Sequence, residues 1–283
     1  MSRAARIGII IAVVVAAFLI ATLIIAPRLF EIDTYRPEVI SLLEEKTGRE
    51  VEIGHLSLVL FPTATIRADN VAIANPAGFP SGNMLTVKRI SARLDLGALL
   101  HRQIVIRTLK LDQLALNLTS NGKGNWNSQM SDPPAPHVAR ASGPPTFALG
   151  EISKIELSDG TLSVKSLAAG RSATPTICKG VSGELDNVSL AMLGRAGSSS
   201  SLPSRDLTRG VPKIPNATGS LSVVKLNVGA LQATRITSKI KTSSAEIQLN
   251  DLRFDFYQGK GTGNVRLEVA GADPQFQSEA HLS

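Results

Sequence analysis

Residues able to do chemistry are few in this chain, and their spacing suits none of the common reactions. The run Gly259-Lys260-Gly261-Thr262-Gly263 comes nearest to a phosphate-binding loop. Such a loop needs a glycine four intervening residues before its Gly-Lys pair and Ser or Thr directly after it, so that backbone N–H groups cradle phosphates and the hydroxyl meets a magnesium ion. Phe254 and Gly261 hold those places here, and the spacing also fails for a dinucleotide fingerprint. The flanking runs Arg253 to Tyr257 and Asn264 to Val269 alternate like strands, which predicts a hairpin turn at the glycines. His55, His101, His137 and His281 are scattered, with none at helical spacing from another, so no metal centre is expected. Cys178, in Ile177-Cys178-Lys179-Gly180, has no sequence-local partner to activate its thiol and reads as a small buried hydrophobe. No Gly-x-Ser-x-Gly elbow occurs, and Glu44-Glu45 lies on the polar side of a short helix, where solvation accounts for it. The expectation is a protein with no catalytic residues, no cofactor and no metal, and not an enzyme.

The elements that would position any site begin with a membrane segment. Ile7 to Ala26 is twenty residues without a charge, which at ~1.5 Å per residue spans ~30 Å, the hydrocarbon thickness of a bilayer. A cleaved signal peptide is the rival, but Ile24 and Ala26 before Pro27 make a poor cleavage site, so a transmembrane helix over 7–26 is predicted. Lys and Arg tie across the span, with Arg3 and Arg6 before it and Arg28 and Arg36 after it. The free amino terminus and the long C-terminal part decide for residues 1–6 in the cytoplasm.

Asp33-Thr34 before Pro37 reads as a helix start and Gly48 as its stop, which predicts an amphipathic helix over 33–47. Val39, Ile40, Leu42 and Leu43 would form its apolar stripe. From Val51 onward the period changes to two: Leu56, Leu58 and Leu60 alternate with polar residues, as do Ile90, Ala92, Leu94 and Leu96. Further strands are predicted at Ile104 to Leu118, Ile152 to Leu157, Thr161 to Leu167, Gly219 to Val228, Glu246 to Tyr257 and Val265 to Val269. Some runs change face partway, Leu109 and Leu111 against Ile106 and Leu114, and Leu249 against Leu252. A β-bulge near Thr108 and another near Asn250 would keep one apolar face; a sheet buried on both faces is the alternative.

A Pro-rich loop over 131–145 and a basic Gly/Ser/Pro-rich loop over 194–215 separate three β segments, 49–130, 146–193 and 216–283, the last expected to continue beyond the chain. Composition limits the partners. Aromatic residues are 4% of the chain, too few for the aromatic girdles of an outer-membrane barrel or a base-stacking platform. The net charge is +7, but the part beyond the span is only mildly basic, so no nucleic-acid partner is expected.

In their order these features resemble the N-terminal part of an AsmA-family protein, a relative of the TamB-like and chorein-type lipid-transfer proteins. The resemblance is carried by the N-terminal span, Thr47-Gly48-Arg49 with Val51 and Ile53, and Phe61-Pro62 with Val71 to Pro76. It continues through Leu94 to Leu100, Ile104 to Leu118, Gly124-Asn125-Trp126, Ile152 to Val164 around a Ser158-Asp159-Gly160 turn, and Leu252 to Gly259. It implies a mainly β fold: an elongated, curved, open antiparallel sheet forming a groove, with a helix at the membrane end. It also implies a protein of the bacterial inner membrane, its bulk in the periplasm, that holds or transfers phospholipid between inner and outer membranes and supports outer-membrane biogenesis. Acyl chains would then lie against Leu58, Leu60, Ile66, Ile90, Leu94, Ile106, Leu116, Phe254 and Phe256. The other partners expected are the inner membrane, through 7–26, and envelope proteins. A dozen strands would stack to only ~60 Å, too short to cross a periplasm unaided, so the chain alone reads as a stub, a fragment or one segment of an assembly. The competing reading is a periplasmic scaffold for outer-membrane protein assembly, with the same face covered by protein.

Overall fold

The computed structural model describes residues 32–60, 63–100, 103–121, 126–128, 148–168, 171–172, 174–188, 215–243, 246–268 and 275–282. The predicted span at 7–26, the Phe61-Pro62 step, the Pro-rich loop and all but the last residue of the basic loop lie outside these residues. None of the described helices is long and apolar enough to cross a membrane.

A 3-10 turn, Ile32–Tyr35, leads into helix α1, Arg36–Thr47, with a proline in its first turn. Gly48 ends the helix in the left-handed conformation, φ 65°, and donates its N–H to Glu44 O at 2.7 Å. Asp33, expected to cap the helix, does not: its Oδ1 accepts the N–H of Leu56 at 2.8 Å. Glu44 Oε1 accepts the N–H of Val51, and Arg36 Nη1 donates to Gly54 O at 2.5 Å. Three side chains thus occupy the backbone groups along the outer edge of the first strand, an edge that would otherwise be open to strand addition.

The strands are β1 (Val51–Val59), β2 (Thr65–Ala74), β3 (Asn83–Leu94), β4 (Gln103–Ser120), β5 (Ala148–Ala168), the two-residue β6 (Arg171–Ser172), β7 (Thr176–Val188), β8 (Ala217–Val228), β9 (Leu231–Ser243), β10 (Glu246–Phe256), β11 (Gly259–Glu268) and β12 (Gln275–Leu282). A five-residue helix, α2 (Leu96–Leu100), stands between β3 and β4. The strands form one open, curved sheet in simple sequence order, with β6 paired on β5 alone. Eleven strands at ~4.8 Å spacing make a stack ~48 Å long. All substantial strand contacts are between sheet neighbours, so among the described residues no second sheet layer covers either face.

Four expectations need correction. The sheet is not wholly antiparallel, because β4 and β5 run parallel. The 27 residues between Ser120 and Ala148 suffice to carry the chain back along β4, since ~3.3 Å per residue gives a reach of ~90 Å against ~60 Å of strand. Ser158-Asp159-Gly160 is no turn but the middle of the continuous strand β5. Leu96 leaves the strand pattern because Asp95 Oδ1 accepts the N–H groups of Gly97 and Ala98 and starts α2. Those bonds, with the Arg107 guanidinium, hold the Asp95 carboxyl below its usual range. The glycines at 259–263 lie within β11; the hairpin turns at Tyr257 and Gln258. A Cβ on Gly261 would lie 2.2 Å from the Phe254 ring, so glycine there lets the ring lie flat across its neighbour strand.

Two transverse lines across the sheet explain how a single face stays apolar. Non-glycine residues with positive φ include Asn70, Gln113, Asp159, Asn187, Arg235 and Asp251, at 52–58°. A left-handed residue inside a strand slips the in–out alternation by one. The register flanks Asn70, Lys88, Gln113 and Asp159 as cross-strand neighbours, and likewise Gly180, Val224 and Arg235, so the slips occur together from strand to strand. The predicted bulges near Thr108 and Asn250 are present as register shifts, between Arg93/Leu94 on β3 opposite Thr108 and Ile106, and between Leu249 and Leu252. The slip at Gln113 is additional to them, and it brings Leu114 and Leu116 back to the side of Leu109 and Leu111. Holding glutamine left-handed costs ~1–2 kcal/mol, partly offset because glycine loses more entropy on folding. Gln113→Gly is therefore expected to stabilise the chain by ~0.5–1 kcal/mol, read as a higher urea midpoint at unchanged slope, whereas Gln113→Val, branched at Cβ, lowers it.

Candidate functional site

Paired residues of neighbouring strands share a face, so the register traces side chains across the whole stack. One transverse row runs Leu58, Ile66, Ala92, Leu109, Ile155, Leu185, Gly219, Ile240, Leu249, Val265 and Ser278, one residue from each of the eleven stacked strands. A second runs Val51, Ile73, Leu85, Leu116, Leu162, Cys178, Leu226, Ala233, Phe256 and Gly259, from β1 to β11. Neither row contains a charged residue. Between them lie Leu56, Ala68, Ile90 and Leu111, and Ile53, Val71, Val87 and Leu114. Ala68, Ile90, Leu111 and Leu114 all pack against the buried cluster of Val51, Ile53, Val71 and Val87, which places both sides of the slip on the same face.

The opposite face carries the charge. Arg89 meets Asp69 at 2.7 Å, Lys154 meets Glu184 at 2.7 Å, Arg266 meets Glu246 at 2.6 Å and Lys239 meets Asp251 at 2.7 Å; Arg235 pairs with Asp255. Exposed pairs like these add little stability, but they keep one face in water. A trough of about 660 Å³ on this polar face is lined by Ser182, Ser220, Ser222, Thr237 and their charged neighbours.

Of the nine residues expected to line a groove, eight lie on the one apolar face of the sheet. Leu58 and Ile66 stand in the first row, Leu116 and Phe256 in the second, and Ile90 between them. Leu94 and Ile106 form a further row with Ile152 and Val188. Phe254 lies opposite Gly261 on the same face as Phe256. Leu60 follows the end of β1, half-buried and outside the register. Leu109, Ile155, Leu185, Ile240, Leu249 and Cys178 also belong to these rows. Leu109 and Leu249 join the face through the two predicted bulges, whereas Ile155, Leu185, Ile240 and Cys178 were not expected there, because each lies on a strand that carries a slip or is interrupted by glycine.

A close approach between strands sets the middle of the face. A Cβ on Gly219 would fall 1.8 Å from the backbone oxygen of Glu184 on β7, so only glycine allows β8 to pair there. Cys178, in the second row between Leu162 and Leu226, is half-buried, and burial pushes its thiol above the ordinary range. The thiolate is the charged form that an apolar setting disfavours, so alkylation by a maleimide should be slow at pH 7 and rise later with pH than for an exposed thiol. Acyl chains on the face should slow it further; equal rates with and without added phospholipid would contradict that.

Most of these side chains are half-buried, not sealed in a core. At ~25 cal/mol per Å² the exposed remainder favours an apolar cover. Among the described residues the two rows hold no pair of titratable side chains, and their apolar side chains can hold flexible apolar chains without fixing their position. A profile of the AsmA family matches residues 1–175, a stretch that takes in α1 and β1 to β5. A search among curated proteins finds no match.

Proposed function

The chain belongs to the AsmA family, and on that premise we propose that it is a non-enzymatic envelope protein that holds phospholipid by its acyl chains. In this reading Ile7 to Ala26 anchors it in the bacterial inner membrane, the sheet stands in the periplasm, and phospholipid moves along the rows between inner and outer membranes. The observation that carries the proposal is the first row: eleven positions in register, from Leu58 to Ser278, without a charge. Its direction matters as much as its composition. The row runs along the stack, perpendicular to the strands, so a chain sliding on it meets Leu, Ile, Val, Ala and Gly through ten strands before Ser278. Among the described residues the rows hold no charged partner for a headgroup, which would stay at the rim, in water.

Native mass spectrometry of the full chain, extracted in mild detergent, should find phospholipid bound in a ratio of one or more per chain. A lipid-free chain whose apolar face is covered by a co-purifying protein would sink this reading and favour a scaffold for outer-membrane protein assembly.

A further inference from the structure

The apolar face runs out over the rim of the sheet at two neighbouring hairpin tips. Val228 and Leu231 pair at the turn between β8 and β9, on the same face as Leu226 and Ala233 of the second row, and stay 45% and 52% exposed. The turn between β10 and β11 follows Phe256 of the same row and carries Tyr257, 70% exposed. The Tyr257 hydroxyl donates to Ala230 O at 3.4 Å and its ring meets Phe256 edge-on, which makes one unit of the two tips. Residues 226–234 and 256–259 contain no charge. The first charges behind them are mostly cations in register: Lys179 stands opposite Lys225, and the row continues through Thr234 and Asp255 to Lys260. Arg235 pairs with Asp255, so four cations stand there against one acid, a net +3. Like charges directly opposite each other weaken a sheet, and the other cross-strand neighbours of Lys179 and Lys225 are Thr161 and Thr234, neither of them an acid.

We propose that these two tips dock the sheet on an anionic bilayer, with Val228, Leu231 and Tyr257 in the lipid and the lysine row at the phosphates. Strands that meet the membrane end-on place Lys179, Lys225 and Lys260 two to three residues behind the tips, ~7–10 Å at ~3.3 Å per residue. That spacing matches the ~5–10 Å by which an interfacial apolar surface sinks into the headgroup boundary, a depth that tyrosine favours. Charge selects the partner. An anionic leaflet attracts the lysines, and a phosphate between Lys179 and Lys225 relieves the repulsion within their pair. Because the tips continue the apolar face, an acyl chain leaving the bilayer here meets Leu226, Ala233 and Phe256 next, so lipid enters from the side of the stack and not from its end.

The inference goes beyond the proposed function, and one preparation keeps the two apart. In the full chain with Cys178→Ala, an environment-sensitive fluorophore is attached through Leu231→Cys or Tyr257→Cys at the tips, Ile240→Cys in the first row, or Thr237→Cys on the polar face. The protein is reconstituted in vesicles of phosphatidylethanolamine and phosphatidylglycerol with doxyl-labelled phospholipid. The probes at 231 and 257 should be quenched several-fold more than the probe at 237. Phosphatidylcholine in place of the anionic lipid, or Lys179→Glu with Lys225→Glu, should remove most of that excess. Tip probes quenched no more than the probe at 237, or an excess that survives both changes, would overturn the docking. The probe at 240 reports lipid on the face: quenching there without an excess at the tips leaves the proposed function standing, and an excess at the tips without quenching at 240 overturns that reading and leaves the docking.

Discussion

Leu116→Asp should strip the protein of co-purifying phospholipid and abolish its support of envelope integrity, while Ala115→Asp, one residue away, leaves both intact. Leu116 pairs with Leu85 and Leu162 in the second row, whereas Ala115 pairs with Thr86 and Thr161 on the face that carries the ion pairs. A carboxylate at 115 stays in water. At 116 it stands where an acyl chain would lie, and covering it costs several kcal/mol unless it protonates. Even ~3 kcal/mol is roughly a hundredfold in occupancy. Leu94→Asp, in the row of Ile106 and Ile152, should act in the same way. Urea unfolding of both 115 and 116 variants separates loss of lipid from loss of fold, and the expected contrast is in lipid. Equal lipid content in the two variants would remove the face from the account.

The largest expected loss of stability is at Asn127, which is 0% exposed. Its Oδ1 accepts the N–H of Thr119 at 2.9 Å, and its Nδ2 donates to Asn75 Oδ1 and to Asn117 O, both at 2.7 Å. Beside it Trp126 bridges to Ser120, so this short segment closes the end of β4 and ties it to the residues after β2. Truncation to alanine removes three hydrogen bonds from a fully buried side chain and opens a cavity. Asn127→Ala is expected to cost ~3 kcal/mol, read as a lower urea midpoint. Asn127→Asp should also destabilise, since its carboxylate would face the Asn75 and Asn117 oxygens. A change below ~0.5 kcal/mol in both variants would show that the network does not hold this end together.

The strand-rich architecture was legible because alternation by two is a strong signal wherever a strand has one wet face. Leu56-Leu58 and Ile90-Ala92-Leu94 carried it plainly. The change of phase within Ile104 to Leu118 was legible as well, and it led to the bulge near Thr108. What escaped was the second slip, at Gln113, and the alignment of slips across neighbouring strands. Asn70, Asp159, Asn187 and Asp251 give the missed signal, since Asn and Asp tolerate the left-handed region best and each stands where an alternating run changes phase. Gln113 and Arg235 offer no such hint, and their conformation is imposed by the neighbours to which they pair. Strand β7 was missed because Gly180 and Gly183 interrupt its pattern for reasons that lie in β8: Val224 and Ser220 crowd the places where their Cβ atoms would be. The apolar stripe of α1 was read one sector too wide, because sequence spacing alone does not say how much of a helix the sheet will cover.

The central claim is that phospholipid touches one face of this sheet and not the other, and neighbouring residues of β9 test it directly. Ile240 stands in the first row between Gly219 and Leu249, and Lys241 points to the opposite face, opposite Thr218 and Gln248. With a photoreactive benzophenone residue at either position, in the full chain, in growing cells labelled with radioactive phosphate, irradiation should yield phospholipid adducts at 240 and none above background at 241. Protein adducts at 240 in place of lipid, or lipid adducts of equal yield at both positions, would contradict the account.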